Sequence, residues 1–292
     1  YRLINLMNDE EAKKYWINSL EKRRNLTFSV DNKLFTDLPP FPRELVLDIN
    51  NRCNHKCFFC ANPKIKHYDK LDTELAFDIM RQAKENGCTD LGLQALGEPF
   101  MDKRLADFVR EGKRLNYEYV YINTNGALAN SKRAKPVIDA GCDSIKFSIN
   151  ANTREEFKEV HGYDDFDKVI ENLKWIYEYR NKQNIDMGVY VSSVKSSKSS
   201  ITKNIENLIK PHCDNFDFRD VSNQGGSMME LNETETIKKG NILGSLKKDE
   251  LTTRCKYPFN RIVINAHGYV VACTADFHDQ LAIYDTRKKS LK

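Results

Sequence analysis

Apolar positions along this chain switch between two periods. Short runs rich in β-branched residues at 45–49, 91–95, 119–123, 144–149, 185–192 and 216–221 read as strands. Between them lie stretches whose apolar residues recur three and four apart. Over residues 73–85 these are Leu75, Ala76, Ile79, Met80 and Ala83, one face of a helix that Gly87 ends. Residues 103–115, 132–140, 166–179 and 201–210 repeat the helical pattern. Nearly six strand–helix alternations predict a parallel sheet with helices packed outside it. Both an open doubly wound sheet and a curved, partial (β/α)6 barrel satisfy that pattern.

The segments loaded with polar and reactive side chains follow strands. Cys53, Cys57 and Cys60 come after the first, Gly97-Glu98-Pro99 after the second, and Asn123-Thr124-Asn125-Gly126 after the third. Ser148-Ile149-Asn150 closes the fourth, and residues 192–200 follow the fifth. In barrels, active sites gather at the carboxyl ends of the strands. Open sheets use that edge too, so the shared face favours the barrel without removing its rival. After about residue 223 the pattern changes to a glycine turn, a polar stretch over 231–250, and two short strands at 261–264 and 269–272 around His267-Gly268, a hairpin pattern. The reading is α/β: a helical or extended lead-in over 1–42, a partial barrel over 43–223, and a small cysteine-containing extension over 224–292.

Composition narrows the class. The apolar fraction of 40% supports a core, and a net charge of +4 with 30% charged residues fits a soluble protein without a dedicated nucleic-acid or membrane surface. No apolar run reaches the ~20 residues of a membrane-spanning helix. Of the eight cysteines, three cluster and five scatter, which reads as reduced thiols in a cytoplasmic protein. The chain opens on Tyr1 rather than Met and ends on a basic tail, as expected of part of a longer protein.

The chemistry is concentrated in C-x3-C-x2-C: Cys53, Cys57 and Cys60, with aromatic Phe59 directly before the last. Three thiolates on one loop select zinc or an iron–sulfur cluster. A zinc site completed by His55 or His67 is one reading. A cubane cluster with one iron left open is the other. Cys88 and Cys142, each after a glycine and before a strand, read as packing thiols. His161, His212 and His278 stand isolated in the sequence and carry no ligand role. Lys195 and Lys198, among the serines of 192–200, would lie over a barrel mouth and bind an anionic group such as a sugar phosphate, against the alternative of a solvated loop.

Taken together, these motifs resemble the radical S-adenosylmethionine (SAM) enzymes. The cysteine motif follows a first strand, and its companions come in the family's order. Gly97-Glu98-Pro99 resembles the Gly-Gly-Glu motif that holds the amino group of SAM, with Leu96 standing where the first glycine would be. Asn123, Thr124, Asn125, Ser148 and Asn150 resemble the polar strand ends that hold the ribose and carboxylate, and Phe59 would shield the cluster or pack on adenine. The resemblance covers roughly residues 43–221 and implies a partial TIM-type barrel carrying a [4Fe–4S] cluster and SAM. Cys255, with Gly268 and Cys273 after it, is similar to the opening half of a SPASM or twitch domain, which binds auxiliary iron–sulfur clusters. No cysteine follows Cys273 to complete such a site.

The resemblance implies reductive cleavage of SAM by a low-potential donor such as flavodoxin or ferredoxin, then hydrogen abstraction from a substrate. The short region before residue 43, with one amphipathic stretch over 10–24, reads as too small and too helical for a dedicated leader-peptide-binding domain. That tilts the expectation towards oxidation or epimerisation of a carbohydrate or small metabolite. Maturation of a peptide or protein side chain is the alternative, and a non-catalytic electron carrier or metal-binding module is the third.

Overall fold

The computed structural model describes residues 8–28, 36, 38–198, 207–234, 255 and 257–291. The expected helix at 201–210 lies largely outside them, as does most of the polar stretch 231–250.

Six parallel strands follow one another across the sheet without a reversal: β1 (Glu44–Leu47), β2 (Asp90–Gly92), β3 (Tyr119–Thr124), β4 (Ser144–Ser148), β5 (Gly188–Lys195) and β6 (Asn215–Asp220). A doubly wound sheet reverses its strand order at a switch point. From β1 to β6 there is none, the order of a partial barrel; the order turns back only after β6, where the next strand joins the outer side of β1. On the far side of β1 the sheet continues through β7 (Arg261–Ile264), which is parallel to β1, and then β8 (Tyr269–Val271) and β9 (Ala282–Asp285), which are antiparallel. The expected hairpin at 261–272 is therefore β7–β8.

Period-two alternation sorts the strands into two faces. Leu45, Leu47, Leu91, Ile122, Ile145 and Val189 are fully buried against the helices, each worth about 1.5–3 kcal/mol over exposure. Their neighbours, including Gln94, Asn123, Lys146 and Ser192, take the opposite, concave face. The helical layer is α2 (Thr73–Glu85), α3 (Leu105–Arg114), α4 (Ser131–Asp139), α5 (Arg154–His161) and α6 (Phe166–Lys182). Apolar periodicity did not single out α5, but Thr153-x-x-Glu156 marks its start: Thr153 caps it by accepting the Glu156 N–H, and Glu156 reaches back to the N–H of Asn152, one residue before the cap, at 2.9 Å. The N-terminal stretch forms α1 (Asp9–Phe28). It lies across the amino ends of the strands, where Tyr190 donates to the Trp16 carbonyl and Arg23 pairs with Asp90 at 2.9 Å.

The strand expected at 185–192 starts and ends three residues later, so Ser192 to Lys195 are ladder rather than loop. Their backbone groups find partners in β4 and β6, which a loop over the mouth would have to expose. Lys195 lies 5.2 Å from the Phe218 ring, and Lys198 lies 5.0 Å from the Phe58 ring and 3.5 Å from Glu159.

A buried ion pair joins α6 to the start of β6. Arg180 donates to both Asp214 oxygens at 2.7 and 3.0 Å, and Asp214 also accepts the Val189 N–H. Asp214→Ala strands the Arg180 charge in the core and is expected to cost about 3–5 kcal/mol in urea unfolding. A loss under about 1 kcal/mol would mean that the pair behaves as a solvated surface bridge.

Candidate active site

The loops at the carboxyl ends of β1, β2 and β3 are stitched together by buried side chains. Asp48, just past β1, accepts the N–H groups of Leu96 and Gly97 at 3.2 and 3.4 Å, while its own N–H donates to Ile264 at the end of β7. The Asn62 amide donates at 2.8 Å to both the Asn51 and Leu96 carbonyls. Between these loops the Gly97 backbone comes so close that a Cβ there would stand 2.7 Å from the Arg52 carbonyl oxygen and closer still to that of Asn50. Only glycine fits.

Glu98 is 2% exposed. Its Oε1 accepts from Thr124 Oγ1 at 2.6 Å and from the Phe100 N–H, and its Oε2 accepts the Asn125 N–H at 2.8 Å. A carboxylate can accept about four hydrogen bonds, so Oε2 keeps one acceptor position open to a cation. Burial raises its pKa.

The cysteine loop docks on the carboxyl end of α5. The Lys56 and Phe58 N–H groups donate to the carbonyls of His161 and Val160 at 2.9 and 3.0 Å, supplying partners that a helix end otherwise lacks. Gly162 closes the helix at φ 75°. Each sulfur then faces a nitrogen, an N–H donor at Cys53 and Cys60 and a histidine ring nitrogen at Cys57. Cys53 accepts from the His55 N–H at 3.5 Å and the Asn125 amide at 3.7 Å, Cys60 accepts from the Asn62 N–H at 3.4 Å, and Cys57 lies 3.3 Å from His161 Nδ1. Burial and the charge of Glu98 push the Cys53 thiol up to about 12, and burial raises Cys57 and Cys60 as well. Three half-buried thiols with raised pKa values ionise together only with a cation among them, and the N–H partners of Cys53 and Cys60 suit sulfur that carries negative charge. That donor set fits a metal cluster.

The remaining expected site residues divide. Asn125 bonds Asn54 and Cys53, and Asn123 bonds Gln94 at 2.8 Å, both at the site. Ser148 accepts from Asn150, whose amide is also committed to His161 and to the Val194 N–H. Phe59 joins an apolar cluster with Ala61, Ile65, Met228 and Phe277, so it packs beside the loop. Ala275 of the Cys273 loop reaches the same cluster. Cys273 is half-buried, and Cys255 is exposed.

Sequence reasoning missed His161 and underused His55. His161 is 1% exposed and sits against Cys57; burial holds its imidazole neutral, well below the ordinary pKa. His55 is buried, with Nε2 3.2 Å from Asp165 and Nδ1 without a hydrogen-bond partner among the described residues. Ligand atoms of His55, Cys57 and His161 lie within 4.8 Å of one another. The available signal was Thr153 as a helix start with Gly162 as its end, which together place His161 in the last position of α5.

Burial also lifts Asp48 from 3.8 to about 7. The folded chain therefore holds this proton more tightly than the unfolded chain does. The resulting stability is complete below about pH 4 and lost as pH rises through about 7. Asp48→Asn keeps an acceptor for the Leu96 and Gly97 N–H groups and cannot ionise. It is expected to flatten the decline in unfolding free energy across that window, measured by urea titration at several pH values. An unchanged slope would assign the decline to another group.

Residues 47–192, half of the chain, match the Radical SAM superfamily model. The chain is 35% identical over 133 residues to a probable GTP 3',8-cyclase of Saccharolobus solfataricus, covering 45% of this chain and 42% of that relative. A protein of the same description from Metallosphaera sedula is 32% identical over 139 residues, covering 45% and 41%. The chain thus matches less than half the length of these relatives. Among solved structures, Streptococcus suis SuiB bound to S-adenosylmethionine superposes with a TM-score of 0.67 at 18% identity, over 97% of this chain and 76% of that one. BtrN in complex with AdoMet and 2-DOIA gives 0.53 at 16%, over 86% and 80%. Both likenesses concern the fold. Among the described residues no helix is long and apolar enough to cross a membrane. This chain belongs to the radical SAM superfamily, whose cofactors are a [4Fe–4S] cluster and S-adenosylmethionine.

Proposed function

We propose that the chain is the catalytic barrel of a radical SAM enzyme that abstracts hydrogen from a polar, hydroxyl-bearing small molecule, oxidising or epimerising it. The observation that carries this reading is the concave face of the sheet. Below the cysteine loop it presents the Gln94–Asn123 amide pair, Lys146, Ser192 and Asp217, polar side chains from five adjacent strands or strand ends. Such a surface suits a ligand whose hydroxyls and charges need partners. The sequence relatives carry the name of an activity on GTP, itself a sugar-bearing small molecule, which supports the same substrate class.

In this reading Cys53, Cys57 and Cys60 hold the cluster, and Gly97, Glu98, Asn123, Thr124, Asn125, Ser148 and Asn150 surround SAM. When bound, the two cofactors supply a 5′-deoxyadenosyl radical able to take hydrogen from an unreactive C–H bond. Gly97 lets the β2 loop approach the cysteine loop, and Glu98 Oε2 receives an ammonium group in its open acceptor position. Thr124 and Asn125 hold the Glu98 carboxylate still. Phe59 and its apolar neighbours exclude water from one side of the loop. Cys255 and Cys273 would begin an auxiliary cluster. The electron comes from an external low-potential donor of the flavodoxin or ferredoxin class.

After anaerobic reconstitution, Cys53→Ala, Cys57→Ala and Cys60→Ala are each expected to lose the roughly four irons of the first cluster and to release no 5′-deoxyadenosine from SAM under dithionite. Full cleavage in all three variants would refute the cluster assignment. Substrate class is read separately, by deuterium transfer into 5′-deoxyadenosine from labelled sugars or nucleotides. Transfer from a labelled peptide alone would replace the small-molecule reading.

A further inference from the structure

The hydrogen bonds around Cys57 form a directed chain that begins outside the cysteine loop. Asn150 Oδ1 lies 2.7 Å from the Val194 N–H. A backbone N–H can only donate, so this contact fixes which end of the Asn150 amide is oxygen. The amide nitrogen therefore faces Ser148 Oγ at 3.2 Å and His161 Nε2 at 3.3 Å. An NH₂ group is donor-only, so His161 Nε2 must be the unprotonated ring nitrogen. The proton of the neutral ring is then on Nδ1, which lies 3.3 Å from Cys57 Sγ.

We propose that His161 is a positioning residue that sets the potential of the cluster, by donating its Nδ1–H to the Cys57 thiolate in a tautomer that Val194 and Asn150 enforce. The inference rests on the reading of Cys57 as a cluster ligand. A hydrogen bond to a ligating sulfur stabilises the more negative, reduced state, and such bonds are among the levers that set cluster potentials. The ring itself is fixed. It stacks on Phe157 at 4.0 Å between centroids and lies edge-on to His55 at 5.2 Å. A mononuclear metal shared by His55, Cys57 and His161 is the competing use of these atoms. It would need a lone pair on His161 Nδ1 and hence a proton on Nε2, pointed at the donor-only amide of Asn150.

Two measurements test the proposal on the full chain. In the apo-protein, ¹⁵N chemical shifts of labelled histidine are expected to show His161 protonated at Nδ1 and bare at Nε2. The opposite tautomer, or tight uptake of one zinc ion that His161→Leu abolishes, would overturn the proposal without touching the cluster reading. After reconstitution, an EPR-monitored redox titration compares three proteins with matched iron content. His161→Leu is expected to move the midpoint to more negative potential, lowering the reduced-to-oxidised ratio at fixed poise about tenfold, or about 59 mV for one electron. His161→Asn, whose amide nitrogen can occupy the Nδ1 position, is expected to stay near wild type. Equal midpoints in wild type and His161→Leu would overturn the proposal. If His161→Leu cannot be loaded, the decision falls to the tautomer and to His161→Asn, whose midpoint must then stay near wild type for the proposal to stand. Failure of the wild type to take up iron would count against the cluster reading instead, because the tautomer measurement stands without metal.

Discussion

Everything at the mouth of this barrel depends on satisfying buried backbone N–H groups. The loops after β1, β2 and β3 leave the ladder at one small area, and their N–H groups cannot remain unpaired there. Two carboxylates meet that demand. Asp48 receives Leu96 and Gly97, and Glu98 receives Phe100 and Asn125 along with the Thr124 hydroxyl. Each carboxylate comes from one strand end and serves the next, so the loops cannot move independently. The cost is the burial of ionisable groups, visible in the raised pKa of both.

The cysteine loop obeys the same constraint by another route. The Lys56 and Phe58 N–H groups cap α5, the loop's sulfurs accept from the N–H groups of His55, Asn62 and Asn125, and Cys57 faces His161 Nδ1. A helix end that needs donors and thiolates that need donors are thus served by a single docking arrangement. This explains why α5, absent from the apolar periodicity, matters to the site: Thr153 sets where the helix starts, and left-handed Gly162 sets where it stops and so where the loop is held.

Both ends of the chain serve the barrel. The lead-in helix α1 closes the amino ends of the strands through Trp16 and Arg23. The last strands extend the sheet from β1, where Glu44 accepts from Arg261 at 2.7 Å and from Tyr121. The Asp48 N–H to Ile264 bond carries that extension up to the site itself.

Much of this was legible from residue order alone. Strand–helix alternation, the cysteine spacing, Gly97-Glu98 and the polar strand ends are local properties, because periodicity and loop chemistry act over a few residues. Local patterns also announce a glycine, but not that the Asn50 and Arg52 carbonyls leave no room for a Cβ at Gly97. The end of β5 was misplaced because Ser192 to Lys195 look like loop by composition, and only their partners in β4 and β6 make them strand. His161 looked isolated because its partners, Cys57 and Asn150, lie 104 and 11 residues away. The sequence by itself determined the elements, their order and the sulfur ligands on offer. Tertiary structure decided which donors face those sulfurs and which tautomer His161 holds, since hydrogen bonds between distant segments exist only once the strands bring their ends to one face.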